Sequence, residues 1–447
     1  MNVSIIGGTG YVGLITGLGL AIHGHNVICM DTDTRKIEAL NNSELPIYEA
    51  GLEELLKEAT DRKQVVFTSC LKTAVSQSEI IMIAVGTPES KNGETDLSHL
   101  VQALKLVANE MESYRTIVIK STVPVGTCDM ARTLISDNLK NRFIPFDVVS
   151  NPEFLREGNA VQDFLKPERI IIGVDDSESE VIMKELYKTF AAPMVLTNTR
   201  SSEMVKYACN AYLAARISFI NEISEISEKV NADIHAILEG MKLDKRIGGL
   251  YLNPGPGFGG PCLTKDLKSL ICFAGKANAE LPLLKAVLER NEVQINNIIK
   301  YIIDELKDIR GKKIAVLGLS FKAGTDDTRN SPAVQLLERL LDKSLRIHVY
   351  DPVVKSIEEP LHSRVIFSRN IEDTFHNADC LIVMTEWPIF KEIDLEMLYH
   401  SMKTPVIVDT RNIFSYSKAN SLGFRYKGIG IACERLININ TTLKNII

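Results

Sequence analysis

The sequence predicts an α/β protein in which two parallel-sheet domains flank a helical middle with one long helix. Three observations predict it. Short apolar runs alternate with helical patterns through residues 1–196. Residues 201–230 then contain neither proline nor glycine. A second strand, glycine turn, helix and strand series starts at Ile314.

The first domain opens on the apolar run 3–6, a glycine cluster and a helical pattern through Ile22. Residues 26–30 form the next apolar run, ending on Asp31. Buried strands are predicted at 65–68, 80–85, 116–120, 146–150 and 169–174. In 201–230, Val205, Ala208, Tyr212, Ile217, Ile220, Ile223 and Ile226 approximate a helical stripe. Helical patterns continue to about residue 305, so 197–305 is read as a central domain. Such a segment forms a spine or a dimer contact, although any single face fits an ordinary core helix as well. The third domain, 306–447, follows Arg310-Gly311-Lys312-Lys313. Its strands are predicted at 314–318, 346–350 (ending on Asp351-Pro352), 380–384 and 406–409. A strand, a glycine turn, a helix and a strand ending in Asp occur in both outer domains, which are therefore Rossmann-like.

Composition narrows the function. The chain has 447 residues, 45% hydrophobic and 24% charged, with net charge −6. Those are values for a globular protein without the basic footprint of a nucleic-acid binder. An anionic substrate would need a local cluster of Lys, Arg and helix N-termini. Eight cysteines are scattered with no C-x-x-C pair, which argues against structural zinc and a disulfide framework. The N-terminus does not read as a signal peptide, and no apolar run is long enough for a membrane span. Cytoplasmic residence, no membrane partner and no metal are the expectations.

Gly8-Thr9-Gly10-Tyr11-Val12-Gly13 is a G-x-G-x-x-G between a strand and a helix. Gly8 permits the tight turn, Gly10 lets backbone approach a pyrophosphate, and Gly13 lets the helix pack on the strand. Asp31, 18 residues past Gly13, would accept ribose hydroxyls and repel a 2′-phosphate, so NAD is favoured over NADP. The bland alternative is a glycine turn in a non-binding domain. In the third domain, Gly318-Leu319-Ser320-Phe321 has a single glycine, which suits a different nucleotide ligand such as a nucleotide sugar.

The least ordinary stretch runs from Asn253 to Asp266 and holds four glycines between 255 and 260, followed directly by Pro261 and Cys262. Such glycine density costs backbone entropy and fits close approach or positive φ. With Lys265 and Asp266 nearby, Cys262 reads as a nucleophile; the alternative is a buried, inert thiol. A cysteine nucleophile has a logic in a dehydrogenase. Its thiohemiacetal can give up a hydride to leave a thioester, which water hydrolyses to an acid.

Taken in order, these segments resemble the UDP-glucose and GDP-mannose dehydrogenase family. Further markers are Leu45-Pro46-Ile47-Tyr48-Glu49, Val85-Gly86-Thr87-Pro88, Lys120-Ser121-Thr122-Val123-Pro124 and Asn151-Pro152-Glu153-Phe154-Leu155-Arg156-Glu157-Gly158. Lys206 with Asn210, Phe321-Lys322, Thr325-Asp326-Asp327-Thr328-Arg329 and Asp409-Thr410-Arg411-Asn412 complete the set. The resemblance implies a four-electron oxidation of a sugar C6 alcohol with NAD, in a cleft between the outer domains. It makes Cys262 the nucleophile and Asp266 the acceptor of the alcohol proton through a water and Thr122. Lys206 and Asn210 would stabilise oxyanions from one face of the long helix. Glu153 would assist thioester hydrolysis, and Glu157 would lie near the nicotinamide. Pro152 is expected to start a helix presenting both glutamates on one side; an exposed helical face is the bland reading.

The resemblance also implies cofactor contacts from Gly8, Gly10, Tyr11, Val12, Gly13, Asp31, Lys36, Thr87, Thr122, Glu157 and Arg329. Substrate contacts would come from Glu153, Phe154, Leu155, Lys206, Asn210, Arg246, Tyr251, Asn253, Gly257, Phe321, Lys322 and Arg411. Pro261 stands where the family commonly has Ser and Thr264 where it often has Pro. Relatives acting on N-acetyl sugars commonly carry His before the cysteine, so Pro261 favours UDP-glucose; GDP-mannose and UDP-N-acetylhexosamines are the alternatives. A homodimer is expected. A non-catalytic NAD-binding protein would not need Cys262, Lys206 and Asp266, and a two-electron hydroxyacid dehydrogenase would need neither Cys262 nor the third domain.

Overall fold

The structure is a computed structural model that describes residues 1–140, 142–343 and 345–432. Cys433, one of the eight cysteines, lies outside them. The chain forms two compact units. The first is Met1–Cys209 with Lys268–Ala279; the second is Asn210–Leu267 with the chain from Glu280.

The first unit is built on β1 (Asn2–Ile6), β2 (Asn26–Met30), β3 (Val65–Thr68), β4 (Ile80–Ile83), β5 (Arg115–Ile119), β6 (Phe146–Ser150), β7 (Ile170–Gly173) and β8 (Met194–Thr197). Their order across the sheet is β3-β2-β1-β4-β5-β6-β7-β8. The chain winds outward from β1, then restarts at β4 on its other side. This makes a topological switch point at the carboxyl ends of β1 and β4. Alternate residues face opposite layers, as a strand requires. Val3, Ile5, Ile80 and Met82 join one core with Leu14 and Leu18. Ile6, Ile81 and Ile83 join another with Leu100, Leu104 and Val107. Helices cover both faces, which is why these strands read as continuous apolar runs. One neighbour pair departs from parallel: β6 and β7 meet antiparallel at Ser150 and Gly173.

The second unit holds β9 (Lys313–Leu317), β10 (Arg346–Tyr350), β11 (Ile366–Phe367), β12 (Cys380–Val383), β13 (Val406–Asp409) and β14 (Arg425–Gly428), in the order β11-β10-β9-β12-β13-β14. All its pairs are parallel. The strands β8, β11 and β14, which the sequence reading missed, all lie at sheet edges. Val195 and Leu196 of β8 are exposed, and β11 has only two residues, so neither carries the signature of a strand buried on both faces.

The long helix runs Thr199–Val230, and Ile234–Leu243, Leu263–Lys276 and Pro282–Leu306 follow it. Pro282 occupies the first turn of its helix, where its missing N–H costs nothing. Among the described residues no helix is long and apolar enough to cross a membrane.

Candidate active site

The glycine turn after β1 divides its tasks differently from the sequence expectation. The positive φ belongs to Gly7, at 83°, not to Gly8. Gly8 is required by proximity: a Cβ there would sit 2.7 Å from the Cys29 Cα of β2. Gly13 matches expectation, since its Cβ would meet the Gly7 carbonyl oxygen at 2.1 Å. The nearest neighbour of a Gly10 Cβ is 3.4 Å away, so this backbone stays open. It precedes the Tyr11–Ile22 helix, whose first-turn N–H groups have no intrahelical acceptors and favour an anion. Asp31 follows β2; one carboxylate oxygen accepts from the Thr9 N–H and hydroxyl, the other from the Asp33 N–H. That fixes the carboxylate beside the glycine turn, where a ribose suits it. The residues present thus fit a dinucleotide. Val12 is half-buried in the same turn. The Tyr11 hydroxyl donates to Glu49, and burial beside that carboxylate pushes the phenol strongly up. Lys36 is half-buried, with its N–H on the Asp33 carboxylate. The Thr87 hydroxyl donates to the Thr122 carbonyl at 3.0 Å, joining the two threonines that follow β4 and β5.

Glu153 and Lys206 also meet in the first unit. The Lys206 ammonium donates to the Glu153 carbonyl at 2.7 Å and to its carboxylate at 3.0 Å, with side-chain exposures of 6% and 9%. A pair this buried is a strong mutual constraint. Phe154 lies beneath it, its ring centroid 5.2 Å from the Lys206 nitrogen and 4.1 Å from the Arg169 guanidinium. The Leu155 N–H donates to the second Glu153 oxygen.

The expected helix from Pro152 is not there. Residues 151–156 are non-helical, and helix begins only at Ala160. The reason is long-range. Glu49 accepts the N–H groups of Gly158 and Ala160, and Gly158 takes a φ of 78° that breaks any continuous helix. Asp163 holds Arg156 through its backbone and guanidinium. Glu153 and Glu157 are therefore not on one helical face.

In the second unit, Cys262 is exposed, so it is not the inert buried thiol of the bland reading. Its carbonyl accepts the Asp266 N–H, the opening bond of the Leu263–Lys276 helix. The sulfur thus stands at a helix N-terminus, which favours negative charge. Asp266 is 1% exposed; Asn210 donates to one of its oxygens at 2.6 Å and Lys265 to the other at 2.7 Å. Lys206 and Asn210 stand one turn apart on the Thr199–Val230 helix.

Close approach explains the glycines before Cys262. A Cβ on Gly260 would lie 2.8 Å from the Phe321 ring, one on Gly259 2.5 Å from the Asn330 carbonyl, and one on Gly257 2.7 Å from the Asn291 amide oxygen. Gly255 is 3.4 Å from the Arg411 guanidinium by the same measure. The loop is pinned by Asn221, Gln294 and Asn291. The structure therefore sets the glycine loop that leads into Cys262 against Phe321 and Arg411. Arg411 donates to the Phe321 and Met384 carbonyls and pairs with Glu386. The Lys322 ammonium lies 5.5 Å from the Phe321 ring centroid. Arg246 is exposed and pairs with Asp244, Asn253 accepts from Lys242, and Tyr251 has a φ of 59°. Arg329 is also exposed and pairs with Asp327.

Asp351, the counterpart of Asp31, is buried and consumed internally. It accepts from the N–H groups of Leu319, Ser320, Val353 and Val354 and from Trp387. A Cβ on Gly318 would collide with Thr385. The turn after β9 is thus braced by its own acid and by Thr385. Sequence reasoning assigned no role to Glu49, Lys120 or Glu203. Glu49 and Lys120 sit within quoted motifs; Glu203, which holds the Gly126 and Cys128 N–H groups beyond Thr122, carries no local signal. Among the described residues no His, Cys, Asp and Glu cluster suits a metal ion.

Three domain models of the UDP-glucose/GDP-mannose dehydrogenase family match the chain in succession: the NAD binding domain over residues 1–191, the central domain over 200–293 and the UDP binding domain over 315–416. A UDP-glucose 6-dehydrogenase of Rickettsia felis is 40% identical over 436 residues, covering 96% of each chain. UDP-glucose 6-dehydrogenase TuaD of Bacillus subtilis is 40% identical over 430 residues, covering 96% of this chain and 93% of its own. The solved UDP-glucose dehydrogenase of the hyperthermophilic archaeon Pyrobaculum islandicum superposes with a TM-score of 0.89 at 34% identity, covering 96% and 98%. With its glycine turn, its cysteine loop and all three domains in order, the chain belongs to the UDP-glucose/GDP-mannose dehydrogenase family.

Proposed function

We propose that this chain oxidises the C6 alcohol of UDP-glucose to the carboxylate of UDP-glucuronate, using two NAD⁺ in turn and a covalent intermediate on Cys262. The observation that carries the reading is an exposed cysteine at a helix N-terminus, one turn ahead of a buried aspartate held by Asn210 and Lys265. The Gly8–Gly13 turn, Asp31, Thr87 and Thr122 hold the cofactor, which supplies a hydride acceptor at each oxidation.

Asp266 takes the alcohol proton through a water as the first hydride leaves C6. The Cys262 thiolate then adds to the aldehyde, forming a C–S bond, and the new oxyanion is stabilised by Lys206 and Asn210. Loss of the second hydride from this oxyanion, as its C–O bond becomes a carbonyl, leaves a thioester. Glu153 takes a proton from water as it attacks. The C–S bond breaks, and carboxylate and thiol are released. Phe321, Lys322 and Arg411 hold the nucleotide end in this reading, with Gly257 and Tyr251 near the sugar. UDP-glucose is favoured over GDP-mannose by the names of the relatives above. The test is a panel of UDP-glucose, GDP-mannose and UDP-N-acetylhexosamines, each offered with NAD⁺. Two NADH per UDP-glucose consumed is the expected yield. One NADH per sugar, or preference for another sugar, overturns the assignment.

The same reading includes a homodimer. Tyr212, Phe219 and Ile226 are spaced by seven and are 62%, 50% and 50% exposed. Seven residues is close to two helical turns, so they form one apolar line along the Thr199–Val230 helix. A second copy presenting the same line about a two-fold axis would bury it. Light scattering is expected to give a dimer that Phe219→Glu dissociates. A monomeric wild type at working concentration contradicts this.

A further inference from the structure

Lys120 belongs to a quoted motif, yet the chemistry above does not use it. It follows β5, is 4% exposed, and directs its ammonium at the Asn151 carbonyl (3.4 Å) and side-chain oxygen (3.2 Å). Asn151 is itself locked. Its N–H donates to the Ile119 carbonyl, its amide nitrogen to the Ile171 carbonyl, and its side-chain oxygen also accepts the Tyr187 hydroxyl. Two residues on, Glu153 is held through its carbonyl and carboxylate by Lys206. Two ammonium groups therefore grip the carbonyls of residues 151 and 153 in a segment with no helix to order it.

Burying an ammonium against a neutral amide is costly, and a methionine would fill the slot with less penalty. A stability role alone does not explain the charge. The charged groups acting on Lys120 are the Glu153 carboxylate, which favours its protonated form, and the Lys206 ammonium, which opposes it. We propose that Lys120 is a positioning residue of the reaction. It fixes the Asn151–Glu153 segment and adds a second positive charge beside the carboxylate that activates water. This rests on the role given to Glu153 and Lys206 above.

Burial lowers the Lys120 ammonium to about 8. The charge is therefore present below that pH and lost above it, so the activity it supports declines as pH rises through that value. Lys120→Met is expected to melt at or above the wild-type temperature, yet lose about 10-fold or more in kcat with little change in KM for either substrate. Lys120→Arg, charged throughout this range, is expected to retain most of kcat and lose the alkaline decline. Wild-type kcat in Lys120→Met overturns the proposal. So does a matched fall in kcat and melting temperature, or a wild-type alkaline decline that persists in Lys120→Arg. If Lys120→Met does not fold, the pH profile of Lys120→Arg decides alone. Counting NADH per sugar in the wild type tests the underlying reading separately.

Discussion

Replacing Cys262 with serine is expected to reduce multiple-turnover NADH production by at least about 10³-fold, with no loss of stability. The cysteine is exposed, so its sulfur contributes little packing, and surface substitutions of this kind change stability by about 0.5 kcal/mol or less. Its proposed value is chemical. The hydroxyl of serine is a poorer nucleophile than a thiolate at the same helix N-terminus, and an ester is slower to hydrolyse than a thioester. The neighbouring Asp266 is fixed through its two oxygens by Asn210 and Lys265, and serine leaves those bonds in place. Material arrested at the aldehyde or ester level is the expected product. Steady NADH formation at the wild-type rate would remove the nucleophile from the account.

Removing Lys206 is expected to act on both stability and rate. Its ammonium and the Glu153 carboxylate are nearly excluded from solvent, so Lys206→Ala strands a buried negative charge. Breaking such a pair costs about 3–5 kcal/mol, visible as a lower denaturant midpoint. Loss of the oxyanion partner should lower kcat by about 10²–10³-fold in the fraction that folds. The two effects separate in the double variant Lys206→Met with Glu153→Gln. Removing both charges should recover much of the stability and none of the activity. Recovery of activity along with stability would make Lys206 a structural residue only.

Much of this was legible in the sequence because the signals are local. Strands buried on both faces announce themselves as apolar runs, so β1 to β7 were placed within a few residues. The edge strands β8 and β11 lack that pressure, and β14 is buried but reads Arg-Tyr-Lys-Gly, which is not an apolar run; all three were missed. The dinucleotide turn was legible because Gly10 and Gly13 answer to Gly7 beside them, although Gly8 answers to Cys29 of β2 and the left-handed residue is Gly7 and not Gly8. The cysteine loop was legible from glycine density, while its cause was not. Phe321, Asn330 and Asn291 crowd Gly260, Gly259 and Gly257 from parts of the chain that no local pattern connects. The misread helix at Pro152 has the same origin. Glu49 captures the Gly158 and Ala160 N–H groups from more than a hundred residues away, and local propensity yields to it.

The claim on which all else depends is that Cys262 carries the sugar as a thioester. Glu153→Gln should slow hydrolysis and let that species accumulate. After mixing with UDP-glucose and NAD⁺, acid quenching and digestion, mass spectrometry of the peptide containing Cys262 tests this directly. The account predicts a UDP-glucuronoyl group on that peptide, released by hydroxylamine. An unmodified Cys262 peptide in a sample that has made NADH, or the group attached elsewhere, would contradict it.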